Sequence, residues 1–445
     1  MSKEIPKIPL PDGKPYLGDE KVARLYYGNR VGRVIDGPPW WPNFIPPAFS
    51  EEELWEIERY CAQMVKNVKE LNEPLTPVER WRATREFRFG DLDRPYGMAT
   101  TFNILPMRAL DCFSDSLKPG IDVHWYPKLG VKAHLCFNAK FKMDCVNPYT
   151  FSYGDTELGG AAVAKFTEYT APYWTQLYSD PEHVMDDIKT GKLHPLDPYH
   201  DGTYPAYLWM VRKLKEFMKK HGAYDYIPIL GTACAMGALT MSLKDMIKLN
   251  KRNPELYAEV QKWGLNYPIT FGRAMWDILD PDHDILWICD FPTYGNLEQA
   301  KPYLEQHKII VKAIPQFLHM IGFDQTNAIE YMCQNGNISL GAIELATPLE
   351  FAKKVYQKYH KLYDTITNEQ YSAAATETPE RNVELTKANI DTGAGPGYFF
   401  GVPATDPWAK IENLEAIVKT YREYGKQKWD ELKKKPGALE WPQAQ

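Results

Sequence analysis

No uninterrupted apolar run in the 445 residues approaches the roughly 18 that a membrane-spanning helix needs, so no membrane partner is expected. The N-terminal MSKEIPKIPLPDGK lacks the apolar stretch of a secretory signal. Basic blocks are missing outside the short Lys433 to Lys435 run, and 52 Lys and Arg against 58 Asp and Glu leave a net charge of −6. A duplex-binding face requires clustered cations, so nucleic acid is not an expected partner. The seven cysteines are odd in number, scattered, and never spaced C-x-x-C, which fits reduced thiols in a cytoplasm rather than a disulfide framework. No G-x-G-x-x-G follows an apolar run and opens a helix. The one glycine cluster, Gly393-Ala394-Gly395-Pro396-Gly397, precedes an apolar run instead, which removes the main support for a dinucleotide fold.

What is present is a large apolar and aromatic load. Hydrophobic residues make up 44% and charged residues 25%, near the globular average, with 13 Trp and 28 Tyr. Residues 1–48 are rich in Pro, Gly and aromatics, with the run Gly37-Pro38-Pro39-Trp40-Trp41-Pro42, and are expected to form an extended arm. Its tryptophans pack either on their own domain or on a subunit or partner, a homodimer being one such arrangement. Capping boxes at Ser50/Glu53 and Thr76/Glu79 start two helices, the second with Pro77 at its first position. Further helices are expected at 207–221, 242–250, 254–264, from Thr347, and at 412–424, where Gly425 ends the pattern. Residues 366–392 read as a polar excursion or surface helix.

Short apolar runs lie between these helices at 94–101, 141–146, 226–232, 285–289, 309–314, 338–343 and 397–402. Most are continuously apolar, as strands covered on both faces are. Alternation of such strands with helices predicts an α/β fold, a doubly wound sheet or a (β/α)8 TIM barrel, and the missing glycine fingerprint favours the barrel.

Thr76-Pro77-Val78-Glu79-Arg80 followed by Gly90-Asp91-Leu92-Asp93-Arg94-Pro95 resembles the opening of uroporphyrinogen decarboxylase-like proteins. Gly395-Pro396-Gly397-Tyr398-Phe399-Phe400, Glu412-Asn413-Leu414 and Tyr424-Gly425 resemble their end. Met143-Asp144, Leu158-Gly159-Gly160, Pro228 to Gly231, Asn253-Pro254-Glu255 and Gly341-Ala342-Ile343 fall between in matching order. The resemblance implies a (β/α)8 barrel over 75–430, with an N-terminal arm and helix at 1–74 and a tail at 431–445. Family members either decarboxylate uroporphyrinogen or move methyl groups to or from a cobalt corrinoid. The decarboxylases share an Arg-Gln-Ala-Gly-Arg motif, and the run Arg94 to Thr101 has no such arginine pair. Thiol methyltransferases of the family hold zinc through His-x-Cys and a Cys in the last loop. Here Trp287-Ile288-Cys289 or Val311-Lys312-Ala313 stands where that motif would, and 400–404 holds no cysteine. The remaining resemblance is to the first methyltransferase of anaerobic O-demethylase systems. It implies a small methyl donor, an aromatic methyl ether or another methyl donor, and a separate corrinoid protein that supplies the cobalamin.

In a barrel, polar residues at the C-terminal ends of strands carry the chemistry. Asp290, Glu344 and Asp144 follow apolar runs and are the candidate acids. An aryl methyl ether leaves as phenoxide, so its oxygen must be protonated or bound to a Lewis acid as the C–O bond breaks. Tyr149, Tyr153, Trp174, Gln316 and His124 are the candidate substrate contacts. The aromatic rings among them suit a flat aromatic ligand. A metal is left open; if present, carboxylate or imidazole would hold it. His194 and His200 read as plain loop residues.

Overall fold

The structure, a computed structural model, describes residues 34–35, 44–99, 126–148, 162–167, 173–176, 180–234, 241, 243–290, 297–314, 318–321, 326–335, 340–341, 349–364, 368–402 and 409–442. The Trp-rich run Gly37 to Pro42 lies outside them. After β1 (Val34–Ile35), helices α1 (Glu51–Leu71) and α2 (Pro77–Arg85) start at the expected caps. The Ser50 N–H donates to Glu53 Oε2 at 2.8 Å and the Glu53 N–H to Ser50 Oγ at 3.2 Å; Thr76 and Glu79 repeat the pair. α1 buries Ile57, Cys61 and Met64 against α3 (Pro127–Phe141) and α5 (Tyr204–Lys220). β2 (Gly97–Ala99) stands between α2 and α3 in the chain, and a hairpin, β3 (Ala162–Thr167) and β4 (Tyr173–Gln176), with α4 (Pro181–Lys189) precedes α5.

The rest of the chain alternates strands and helices. In order come β5 (Leu230–Cys234), α6 (Leu243–Arg252), α7 (Pro254–Gly264), α8 (Asn266–Trp276), β6 (Ile285–Asp290), α9 (Leu297–Ala313), β7 (Leu318–Ile321) and α10 (Thr326–Gln334). There follow β8 (Leu340–Gly341), α11 (Leu349–Lys358), β9 (Leu362–Tyr363), α12 (Asn368–Thr376), α13 (Pro379–Gly393), β10 (Phe400–Val402) and α14 (Ile411–Lys433). The protein is an α/β mix, helix-rich with short strands.

β5, β6 and β7 form a parallel sheet in that order; β10 pairs parallel with β2, and β8 with β9. Parallel bridges add Val146 to Ile229, beside β5, and Tyr398, ahead of β10, to Tyr363. β7 lies against β8. Among the described residues, only the hairpin β3–β4 and its partner β1 are antiparallel.

Three expectations are corrected. The run 309–314 is the end of α9, not a strand: Ile310 and Ile314 are buried one helical turn apart while Ile309 is 47% exposed. The strand of that region is β7, so Gln316 follows a helix. The run 141–146 is not a strand either. Phe141 ends α3, Lys142 turns the chain at φ 56, and extended pairing begins only at Val146. α14 runs past Gly425 to Lys433, because that glycine lets the helix approach Pro95; an added Cβ would stand 3.3 Å from its ring. The 366–392 segment contains two helices, α12 and α13.

Two apolar clusters face opposite sides of β5 and β6. Leu286 packs toward α8, where Gly231 leaves room that a Cβ, 2.3 Å from Met275 Cε, would fill. Leu230, Ile285 and Trp287 belong to the other cluster, with Met98, Tyr363 and Phe400 from the remaining parallel strands.

Candidate functional site

The C-terminal ends of β5 and β6 carry Cys234 and Asp290. Asp290 is the last residue of β6, in register with Ile321 on β7, the placement expected of it. Trp174 sits in β4 opposite Ala164 of β3, in the antiparallel hairpin rather than on a parallel strand. Glu344, Tyr149, Tyr153, Gln316 and His124 lie outside the described residues.

Asp144 is at the opposite end of the strands. It precedes Val146, and its Oδ2 accepts the N–H of Gly97, the first residue of β2, at 2.8 Å. Asp144 thus opens a strand where it was expected to close one. Arg94 holds it with two parallel bonds, Nη1 to Oδ2 at 2.7 Å and Nη2 to Oδ1 at 2.8 Å. Arg422 of α14 adds Nη2 to Oδ1 at 3.1 Å. The same two guanidinium groups grip Glu73, in the loop after α1: Arg94 Nε at 2.8 Å and Arg422 Nη1 at 2.9 Å from Oε1. Arg80 of α2 takes Asp93 by Nε at 2.9 Å and Nη2 at 2.8 Å, and reaches Glu73 Oε2 at 3.2 Å. Arg94 also lies over the Tyr421 ring, 5.2 Å from its centre.

Three cations and three carboxylates thus balance in a buried cluster that joins α1, α2, β2 and α14. Burial alone would raise the Asp144 carboxyl; Arg94, Arg422 and Arg80 hold it well below the usual carboxylate range. Burial likewise opposes ionisation of Glu73, and the bond from Arg94 with the charges of Arg94, Arg422 and Arg80 brings it down to about 2. Asp144 is therefore a fixed anion and no proton donor. Fixed bidentate pairing of this kind makes a scaffold.

A second carboxylate secures the same end of the sheet. Asp284, immediately before β6, accepts the Ile229 N–H at 3.0 Å, the Tyr224 hydroxyl at 2.7 Å and the Asp280 N–H at 3.0 Å. Burial works against its charge, but these bonds and His283, with Nδ1 at 2.9 Å, keep its carboxyl below the ordinary value.

The remaining histidines divide by exposure. His134 is buried on α3, and burial lowers it to about 3, so it is neutral. His194 and His200 sit in the exposed Pro-rich loop, His200 Nδ1 2.6 Å from Asp197 Oδ2 and His194 Nδ1 3.7 Å from Asp201 Oδ2, as expected of loop residues.

Sequence reasoning missed Arg422 as a partner of Asp144, and Glu73 as a second carboxylate on the same arginines. Arg80 and Arg94 stood inside the quoted opening motifs, but without a partner they gave no sign of their role. Among the described residues, no three His, Cys, Asp or Glu side chains come together to hold a metal ion, and no helix is long and apolar enough to cross a membrane. Compared with known proteins, the chain matches no family model and no curated sequence.

Proposed function

We propose that the chain is a corrinoid-dependent methyltransferase built on a (β/α)8 barrel, taking a methyl group from an aromatic methyl ether and passing it to Co(I) on a separate corrinoid protein. Support for the barrel comes from the neighbour order of the parallel segments. From β2, through Asp144 to Val146, then β5, β6, β7, β8, β9 and the Tyr398–β10 segment, the order follows the chain and returns to β2. The motifs at 76–95 and 395–425 that resemble the uroporphyrinogen decarboxylase-like group fit the same reading.

The observation that carries the chemistry is Asp290 at the C-terminal end of β6, a central strand whose Ile285, Leu286 and Trp287 are buried. In a barrel this is the end where reacting groups gather. With Asp144 held as an anion, the acid role falls to Asp290 and Glu344. The acid delivers a proton to the ether oxygen as the C–O bond breaks. The methyl leaves as a cation equivalent to Co(I), and the product is a phenol. Losing the acid leaves bare phenoxide as leaving group, at a cost on the order of 10²–10⁴ in rate. Binding suffers less, since the proton is needed mainly in the transition state.

A decarboxylase is less well supported. Arg80, Arg94 and Arg422 are all engaged by Glu73, Asp93 and Asp144, so none of them is available for the carboxylates of a tetrapyrrole. A thiol methyltransferase lacks the histidine at Trp287 and the cysteine in 400–404.

The test is conversion of cob(I)alamin to methylcobalamin on a reduced corrinoid protein, followed by absorbance, with a panel of methoxyaromatics and mass spectrometry of the phenol. Wild type converts at least one panel member, while Asp290→Asn or Glu344→Gln falls by the factor above. No conversion with any member, or full activity in both variants, overturns the reading.

A further inference from the structure

The glycine cluster at 393–397 borders a groove between α11, the turn that leads from α13 toward β10, and the chain that follows α14. Its volume of about 510 Å³ is that of a small-molecule site. Lys353 and Gln357 of α11, Gly395 and Pro396 of the turn, and Glu440 and Trp441 of the tail line it. The Lys353 ammonium is half-buried. It donates to the carbonyls of Thr392 at 3.0 Å and Ala394 at 2.7 Å, which leaves one of its three N–H groups. No carboxylate pairs with it among the described residues. Burial, then the charge of Lys428, pull it below its ordinary value, so the cation is short of a counter-charge. A Cβ on Gly395, at φ 146, would stand 3.0 Å from Gln357 Nε2 and 3.6 Å from Lys353 Nζ, so glycine carries the backbone close to the ammonium. Among the described residues the Gly395 N–H has no backbone acceptor. Two lining residues thus hold a spare donor, one of them charged. Trp441, stacked on His360 with ring centres 5.0 Å apart, adds an aromatic surface.

We propose that this groove is a binding site for a planar aromatic monocarboxylate. The carboxylate accepts from the Lys353 ammonium and the Gly395 N–H, and the ring lies against Trp441. A charge-assisted bond supplies orientation, and the aromatic contact supplies buried area. One ammonium balances one negative charge, and Glu440 in the lining disfavours a second. The groove lies ahead of β10, at the end of the strands remote from Asp290, so the proposal does not rest on methyl transfer.

The test is calorimetric titration of the full-length protein with 2-naphthoate, and with 2-naphthamide as its neutral counterpart. Wild type binds 2-naphthoate, and binds the amide at least about tenfold more weakly, a comparison that needs no variant. Lys353→Met weakens 2-naphthoate binding by about tenfold or more. Trp441→Ala weakens it by about fivefold or more. Lys66→Met, an exposed lysine of α1, leaves it unchanged. No binding by wild type, equal affinity for the amide, or unchanged affinity in folded Lys353→Met overturns the site.

Discussion

Asp144 and Asp290 are the same residue type and stand at opposite ends of the parallel strands, Asp144 before Val146 and Asp290 as the last residue of β6. At the N-terminal end, Asp144 receives two arginines, a backbone N–H and a compensating buried network. Every charge there is matched, and the group is locked in one protonation state. At the C-terminal end, β6 stops at Asp290 and β5 at Cys234. A carboxylate becomes a scaffold element where the chain surrounds it with fixed cations, and a reagent only where its proton is free to move.

The sharpest way to break this comparison is to remove one carboxylate from each end. Asp144→Ala leaves only Glu73 and Asp93 to balance the buried Arg80, Arg94 and Arg422, and is expected to lower stability by about 3–5 kcal/mol in urea unfolding. Replacing the two together, Arg94→Met with Asp144→Leu, should recover part of that loss, since the remaining Arg80, Arg422, Glu73 and Asp93 again balance. On the proposed function, Asp290→Asn should lower methyl transfer by a factor on the order of 10²–10⁴ at a smaller loss of stability than Asp144→Ala. Equal stability losses for Asp144→Ala and Asp290→Asn would erase the distinction between the ends.

Acid titration sharpens the same contrast. Glu73 is brought from 4.5 to about 2 in the folded chain, and Asp144 also lies below its ordinary value. A depressed carboxyl contributes stability that is complete above its unfolded value and is lost as pH falls through the folded value. Unfolding free energy should therefore decline from about pH 4.5 down to about pH 2. In a Glu73→Gln background, corrected for its lower starting stability, that decline should be shallower. An identical slope in both proteins would show that the cluster is not what titrates.

How much of this was legible beforehand depended on range. The caps at Ser50 and Thr76 are local patterns, and both formed as expected. β6 was legible because Ile285 to Cys289 is apolar throughout and bounded by aspartates. β7 was not: the neighbouring Ile309-Ile310-Val311 is the more strand-like run, and only its one-sided burial reveals a helix. Asp144 was misplaced because the turn at Lys142 uses a left-handed residue that is not glycine. The charge cluster was hidden by distance, since Arg422 and Glu73 are 349 residues apart in the chain.

A smaller effect is expected from the tail that covers the clamped end. Trp441 stacks on His360 with ring centres 5.0 Å apart and meets Phe89 edge-on at 5.3 Å. It also closes over Gly397, where a Cβ would stand 2.8 Å from the indole. Trp441→Ala should cost about 2 kcal/mol, below the range for fully buried tryptophan because this ring is only half-buried. Thermal unfolding measures it. A null result would show that the tail lies over this end without stabilising it.

The smallest expected effect tests how far the clamp reaches. Ser50 caps α1 at the end remote from Glu73, and α1 has 21 residues, so about 30 Å of helix separates them. Ser50→Ala removes the acceptor for the Glu53 N–H, leaving Glu53 to bond the Ser50 N–H and Lys128 Nζ, each at 2.8 Å. The loss should be about 1 kcal/mol. It should add to the loss from Glu73→Gln, because sites this far apart with no shared partner do not couple. Urea unfolding of the two single variants and the double variant measures the coupling directly. A coupling beyond about 0.5 kcal/mol would mean that α1 transmits strain along its whole length, and the buried charges would then govern the first helix as well as the strand ends.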